Sequence, residues 1–412
     1  MSRDIQVYAD WERLEGPQQL GTLRADVVRG QETFSFAYDD AWLQAHPGLT
    51  LDPELTFFTG PQYPGQTRPN FGMFLDSSPD RWGRMLMDRR EALLARQADR
   101  PVRPLFEIDY LLGVQDESRM GALRFREAET GPFLANFPGY EAPPFTSIRE
   151  LQQASLGVED DHRADEPAAV RWLTLLLAPG SSLGGARPKA SVRAPDGSLW
   201  IAKFPSRNDR VNSGAWEYVV HQLADLCGIQ VPEAQAEQYD GNPHHTFLVK
   251  RFDRTAEGRI HFASAMTLLG YQDGHDHTAG GSYLELVEAI ETYGAAPAAD
   301  LRELWRRIVF SVLVSNTDDH LRNHGFLLTD QGWRLSPAYD INPNPQGRGL
   351  SLNISETDNQ LNLDLCQEVS YLFRWEEQAA QAYIEQACTL VQSWERLAES
   401  SGISRLERTQ MA

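Results

Sequence analysis

Apolar and polar positions alternate with a period of two through the first part of the chain, to about Phe125. Phe34-Ser35-Phe36-Ala37-Tyr38 and Gly121-Ala122-Leu123-Arg124-Phe125 put every second side chain on one face, which predicts half-buried strands. Between them, Asp80-Arg81-Trp82-Gly83-Arg84 opens a charged helix that runs through Arg96. Pro132, Pro138, Gly139, Pro143 and Pro144 then crowd into a connector, the best boundary candidate in the chain. Leu151 to Leu177 predicts two helices around Glu159-Asp160-Asp161, an acidic patch expected to be a solvated loop.

A glycine-rich turn follows, Pro179-Gly180-Ser181-Ser182-Leu183-Gly184-Gly185, with strand-like runs at Ala190-Ser191-Val192 and Leu199-Trp200-Ile201-Ala202-Lys203. A helix is predicted from about Ser213 to Leu226 and another strand over Thr246 to Phe252. From Ser282 the pattern turns helical, with Tyr283 to Tyr293, Ala299 to Val314, and one amphipathic tail from Trp375 to Ala398.

Composition narrows the class. The 412 residues allow two or three domains, and 41% hydrophobic residues with ten Trp exclude global disorder. Met1 to Ile5 lead into Tyr8 and Trp11 without an apolar run, so no signal peptide is expected, and Ile308 to Val314 is too short to span a bilayer. Cys227, Cys366 and Cys388 are few, odd in number and scattered, which suits reduced thiols in a cytoplasmic protein. A formal charge of −20, from 38 basic and 58 acidic side chains, disfavours direct DNA binding but tolerates a partner that carries the DNA contacts.

The chemistry concentrates in Asn316-Thr317-Asp318-Asp319-His320-Leu321-Arg322-Asn323 and in Ser336-Pro337-Ala338-Tyr339-Asp340. Phosphoryl transfer from ATP needs one carboxylate to accept a hydroxyl proton, and an Asn plus an Asp to hold Mg²⁺. Asp318 is the candidate base, because Asn323 follows it at the offset of the kinase catalytic loop; Asp319 lacks that offset. Asn323 and Asp340 are the candidate Mg²⁺ ligands. The plain alternatives are helix-terminating and turn roles for these Asp residues. Lys203 ends a strand after the glycine-rich turn, where an ammonium meets the α and β phosphates, and Glu217 on the next helix is placed to pair with it. Gly180, Gly184 and Gly185 let backbone N–H groups approach phosphate. His320 and Arg322 either meet phosphate oxygens or brace the loop. His275-Asp276-His277 lies in a glycine-rich loop without further ligands, so metal binding is not expected there.

These features predict an α+β, bilobal, protein-kinase-like fold with a strand-containing N-lobe, a helical C-lobe and an additional N-terminal α+β module, with nucleotide between the lobes. The segments are 1–127 for the module, 128–250 for connector and N-lobe, and 251–412 for the C-lobe.

Ser182-Leu183-Gly184-Gly185-Ala186-Arg187-Pro188-Lys189, Lys250-Arg251-Phe252-Asp253-Arg254, Thr317 to Asn323 and Tyr339-Asp340 together resemble the HipA family of bacterial toxin–antitoxin serine/threonine kinases. Phe36-Ala37-Tyr38, Trp42-Leu43, the helix around Pro79 to Leu86, and Gly121-Ala122-Leu123 extend the likeness over nearly the whole chain. The resemblance implies phosphate contacts from Gly184, Gly185, Ala186, Arg187, Pro188, Lys189 and Lys203. It implies an adenine-reading hinge at Lys250, Arg251 and Phe252, and a nucleotide pocket completed by His320, Leu321, Arg322, Asn323 and Tyr339. It further implies an autophosphorylated serine at Ser182, with Ser181 as the alternative. Family members act on translation, chiefly on aminoacyl-tRNA synthetases, and are held by a helix-turn-helix antitoxin on operator DNA. After the hinge, many relatives read His-Gln-Glu-Asp where this chain has His261-Phe262-Ala263-Ser264-Ala265. A small-molecule kinase and a non-catalytic nucleotide-binding scaffold are the alternatives.

Overall fold

The computed structural model describes residues 2–135, 142–160, 167–177, 185–239 and 241–411. It divides into two compact units, one formed by Met1–Arg207 with Asp253–Ala263, the other by Asn208–Phe252 with Ser264–Ala412.

The first unit opens with β1 (Ser2–Ala9), β2 (Gln18–Val28) and β3 (Gln31–Tyr38), joined by β4 (Leu123–Arg126) into an antiparallel sheet ordered β3-β2-β1-β4. The register sets Ile5 opposite Leu23, Leu23 opposite Phe36 and Val7 opposite Phe125, so the alternation seen in sequence becomes one buried apolar face. Phe36, Phe71, Phe74 and Phe125 meet there as tilted and edge-to-face rings. Between β3 and β4 runs α1 (Arg81–Gln97), started by the Asp80 carboxylate, which accepts from the Gly83 N–H at 2.7 Å.

Helices α2 (Ile148–Val158) and α3 (Pro167–Leu177) come next, as the pattern predicts. The acidic patch between them differs from expectation. Glu159 accepts from Ser206 Oγ at 2.7 Å and from the Arg207 N–H at 2.9 Å, and Asp160 pairs with Arg207. These carboxylates hold a later segment of the same unit instead of facing water; Asp161 lies outside the described residues. The hairpin of β5 (Lys189–Arg193) and β6 (Leu199–Lys203) pairs Lys189 with Lys203. The returning stretch from Asp253 is held by Asp253, whose Oδ2 accepts from the Gly121 N–H at 2.8 Å. Arg254 adds donations to the carbonyls of Glu117, Arg119 and Gly121.

The second unit begins with α4 (Ser213–Leu226), capped by the Asn212 side chain, then the antiparallel pair β7 (Ala234–Glu237) and β8 (Thr246–Lys250). Arg251 and Phe252 lie beyond the strand end, where the sequence pattern had extended it. Helices α5 (Tyr283–Tyr293) and α6 (Pro297–Leu313) precede a second hairpin of β9 (Gly325–Thr329) and β10 (Gly332–Leu335). Then come α7 (Leu363–Val369), α8 (Glu377–Val391) and α9 (Trp394–Ser400). The tail is therefore two helices, not one. Ser393 Oγ donates back to the Leu390 carbonyl at 2.7 Å at the break, and Trp394 comes to 5.9 Å from Trp216 in the core. Among the described residues, no helix is long and apolar enough to cross a membrane.

Candidate active site

Helix α6 is buried on nearly every side by Leu301, Leu304, Trp305, Ile308, Val309, Phe310 and Val312, and it also buries Asp300, Glu303 and Arg307. Such charges are tolerated only when paired. Arg307 Nε donates to Glu303 at 3.1 Å and its Nη2 to the Ser336 carbonyl at 2.6 Å, while Glu303 accepts from the Gln230 N–H at 3.0 Å. Asp300 holds Arg334 in β10 through both carboxylate oxygens. Two turns of one helix thus fix the segment that leads into Tyr339-Asp340.

Beyond α6 the chain reverses at Ser315, whose φ of 53° is left-handed, and enters the polar loop. Asp319 turns inward. Its Oδ2 accepts from the Tyr283 hydroxyl at 2.6 Å and from Ser311 Oγ at 3.4 Å, and its Oδ1 lies 3.0 Å from His324 Nε2. Burial pushes this carboxyl up, but the His324 ring and the Tyr283 hydroxyl outweigh that and hold it below the usual carboxylate range. Arg307, Ser311, Asn316, Asp319, Asn323 and His324 share a cavity of about 10 Å³, enough for roughly one water.

Asp318, one residue earlier, is exposed, while its backbone carbonyl accepts from Asn323 Nδ2 at 3.0 Å. That bond spends the amide nitrogen and leaves Oδ1 as the group Asn323 can offer a cation. Asp340 sits at a φ of 57°, a region a short polar residue tolerates, and its Oδ1 accepts from Asn342 Nδ2 at 3.3 Å. One amide oxygen and one carboxylate suit Mg²⁺, which keeps waters and binds substrate phosphates with few protein ligands. Among the described residues, no group of three His, Cys, Asp or Glu side chains is placed to hold a metal, His275-Asp276-His277 included.

The other predicted residues sort by unit. In the second unit, Tyr339 donates its hydroxyl to the Arg322 carbonyl at 2.6 Å, and its ring lies 5.5 Å from that of Phe252. Arg322 pairs with Asp273 (Nη2 to Oδ2, 2.9 Å), so it braces the loop. His320 starts the 3₁₀ turn Leu321–Asn323, and Leu321 is buried. Lys250 reaches Glu233 at 3.3 Å, and Arg251 is buried. Glu217 is buried within α4 rather than on its surface. In the first unit, Gly185 has a φ of 89°, Ala186 is exposed, Arg187 is half-buried and Pro188 is buried. Lys189 is buried against Asp80, and Lys203 is half-buried at the end of β6. Gly180, Ser181, Ser182 and Gly184 lie outside the described residues.

Sequence reasoning missed the group around Asp319 and the countercharge on Lys189. Tyr283, Ser311 and His324 carry no motif with Asp319, and Asp80 stands 109 positions before Lys189. An Asp beside a catalytic candidate, with a His five positions on, was the one local signal.

The two units define an α+β protein of the kinase-like class. The family model for the HipA-like C-terminal domain matches residues 181–394, more than half of the chain, and the protein belongs to the HipA-like family. "Putative kinase Y4mE" of Sinorhizobium fredii is 26% identical over 337 residues, covering 74% of this chain and 71% of that protein. "Putative kinase Y4dM" of the same organism is 35% identical over 159 residues, and the match spans only 37% of its length. The serine/threonine-protein kinase toxin HipA of Shewanella oneidensis is 23% identical over 266 residues, 57% of this chain and 59% of that one. A chain from the solved complex of the Shewanella oneidensis toxin–antitoxin system HipA, HipB and its operator DNA superposes with a TM-score of 0.65 at 16% identity, covering 96% of this chain and 90% of that one. That likeness establishes a shared fold.

Proposed function

We propose that this protein is an ATP- and Mg²⁺-dependent serine/threonine protein kinase of the HipA type, acting in the cytoplasm. The observation that carries the reading is the division of labour between adjacent carboxylates. Asp319 is consumed by Tyr283, Ser311 and His324, which leaves Asp318 as the exposed carboxylate of the loop. Asp318 accepts the proton of the target hydroxyl as its oxygen attacks the γ-phosphorus and ADP departs. Asn323 Oδ1 and Asp340 would hold Mg²⁺, which neutralises charge on the β and γ phosphates. Asn323 also fixes the Asp318 backbone, so one residue serves both the base and the metal position. Lys203 and the backbone N–H groups of the glycine-rich segment at Gly184, Gly185 and Ala186 would supply phosphate contacts, and Lys250, Arg251 and Phe252 would form the adenine hinge.

The target is a protein hydroxyl, with a translation component such as an aminoacyl-tRNA synthetase as the class the family resemblance suggests. Ser182, or Ser181, is the autophosphorylation site, where about two added negative charges would repel nucleotide from a phosphate-cradling turn. A helix-turn-helix antitoxin is the expected partner, and a chain of charge −20 would reach DNA only through it. Mass spectrometry after incubation with Mg-ATP tests the reading: phosphate on Ser182 or Ser181 in wild type, and none in Asp318→Ala, is the expected result. Phosphate that persists in Asp318→Ala at the wild-type rate would refute it.

A further inference from the structure

Asn316 sits between the two segments that carry the candidate Mg²⁺ ligands. Asn323 lies on the loop after α6, whereas Asp340 lies beyond β10. Asn316 is only 2% exposed, and both ends of its amide are engaged. Its Nδ2 donates to Ser311 Oγ at 3.2 Å, and its Oδ1 accepts from the Asn342 N–H at 3.2 Å. Ser311 Oγ in turn donates to Asp319, the buried carboxylate of the first loop. Asn342 Nδ2 donates to Asp340 Oδ1 at 3.3 Å. One line of hydrogen bonds therefore runs from Asp319 through Ser311, Asn316 and Asn342 to Asp340.

The side chain suits this place for chemical reasons. An amide offers a donor and an acceptor at once, which neither an ionised carboxylate nor an aliphatic side chain can do. The backbone of Asn316 is itself fixed, since its N–H donates to the Ser311 carbonyl at 2.8 Å. At the other end, Asp340 has a φ of 57°, a conformation that its surroundings must hold. Two further ties join the same segments: the Asn344 N–H to the Ser315 carbonyl at 2.9 Å, and the Tyr339 hydroxyl to the Arg322 carbonyl at 2.6 Å. Neither of these ends on the Asp340 carboxylate.

We propose that Asn316 is a positioning residue that sets the spacing of the two candidate Mg²⁺ ligands, Asn323 and Asp340. The proposal deepens the kinase reading and rests on it for its consequence. Asn316→Ala removes both amide bonds, whereas Asn316→Asp retains the oxygen that receives the Asn342 N–H. Hydrogen exchange on nucleotide-free, metal-free protein reads the link directly. The Asn342 amide should exchange at least about ten-fold faster in Asn316→Ala and stay within about three-fold of wild type in Asn316→Asp. Mn²⁺ binding at saturating ADP, followed by electron paramagnetic resonance, reads the consequence. Its half-saturation should rise about ten-fold in Asn316→Ala, the scale on which residues behind a metal ligand act, and by less than about three-fold in Asn316→Asp. Should Asn316→Ala fail to fold, Asn342→Ala, which cuts the bond to Asp340, should raise the Mn²⁺ midpoint at least about three-fold. Unchanged exchange at Asn342 in Asn316→Ala, equal losses in Asn316→Asp and Asn316→Ala, or an unmoved Mn²⁺ midpoint in the alanine variants would each overturn the proposal. Wild-type protein that binds neither ADP nor Mn²⁺ ends the kinase reading instead, and exchange at Asn342 still decides the link.

Discussion

Asn323 donates its side-chain amide to the backbone carbonyl of Asp318 at 3.0 Å, so the candidate metal ligand also sets the candidate base. Asn323→Ala should therefore lower phosphate incorporation by about 100-fold or more, since misplacing a reacting group by about 1 Å has that scale of cost. Asn323→Asp restores an oxygen ligand but turns a carboxylate toward the carbonyl, and is expected not to recover the rate. Wild-type turnover in Asn323→Asp at saturating Mg²⁺ would show that the brace has no role.

Asp318 and Asp319 should separate activity from stability. Asp318→Asn removes an exposed carboxylate, so the melting curve stays put while turnover falls about 10²–10⁴-fold. Asp319→Ala orphans the Tyr283 hydroxyl and its neighbours, and urea unfolding should show a loss of at least about 2 kcal/mol. An Asp319→Ala protein as stable as wild type contradicts the buried network.

His261 gives the first unit a stability that depends on pH. Its ring is fully buried beside Trp11, and burial holds its pKa down at about 3. The unfolded imidazole titrates near 6.5. Between these values the unfolded chain binds a proton that the folded chain refuses, so stability rises with pH across that window and falls on acidification. His261→Phe keeps an aromatic ring and should lose up to about 3 kcal/mol less than wild type on going from pH 6.5 to 4. Parallel stability–pH curves for the two proteins would mean that His261 is protonated in the fold.

Gly347 lies against Thr317 of the candidate catalytic loop with no room for a side chain. A Cβ at this position would fall 2.2 Å from Thr317 Oγ1 and 2.6 Å from Thr317 Cβ. Asn344 donates to that same hydroxyl at 2.9 Å. Gly347→Ala should push the two loops apart, cutting activity at least ten-fold while leaving most of the core intact; crystallography of the variant would show Thr317 displaced. Full activity with Thr317 unmoved would argue against this coupling.

Local pattern determined much of this protein. The period-two strands at Phe34 to Tyr38 and Leu123 to Phe125, helix α4 at its observed ends, and the breaks around Glu159 all follow from short-range preference and from which face must be buried. The offset from Asp318 to Asn323 was legible too, because a loop that short lets its own residues meet. The single tail helix was a local reading that failed, since an uninterrupted amphipathic pattern does not reveal that Trp394 packs beside Trp216.

What tertiary structure alone decided is the fate of each charge. Asp318 and Asp319 are the same residue type side by side, and only burial beside Tyr283 and His324 makes one an anchor and leaves the other exposed. Lys189 meets Asp80 only because the fold carries the N-cap of a helix far upstream to it. The reason is physical: hydrophobic periodicity is written locally, whereas a buried charge is settled by whichever opposite group the fold carries to it, and that partner has no fixed place in the sequence.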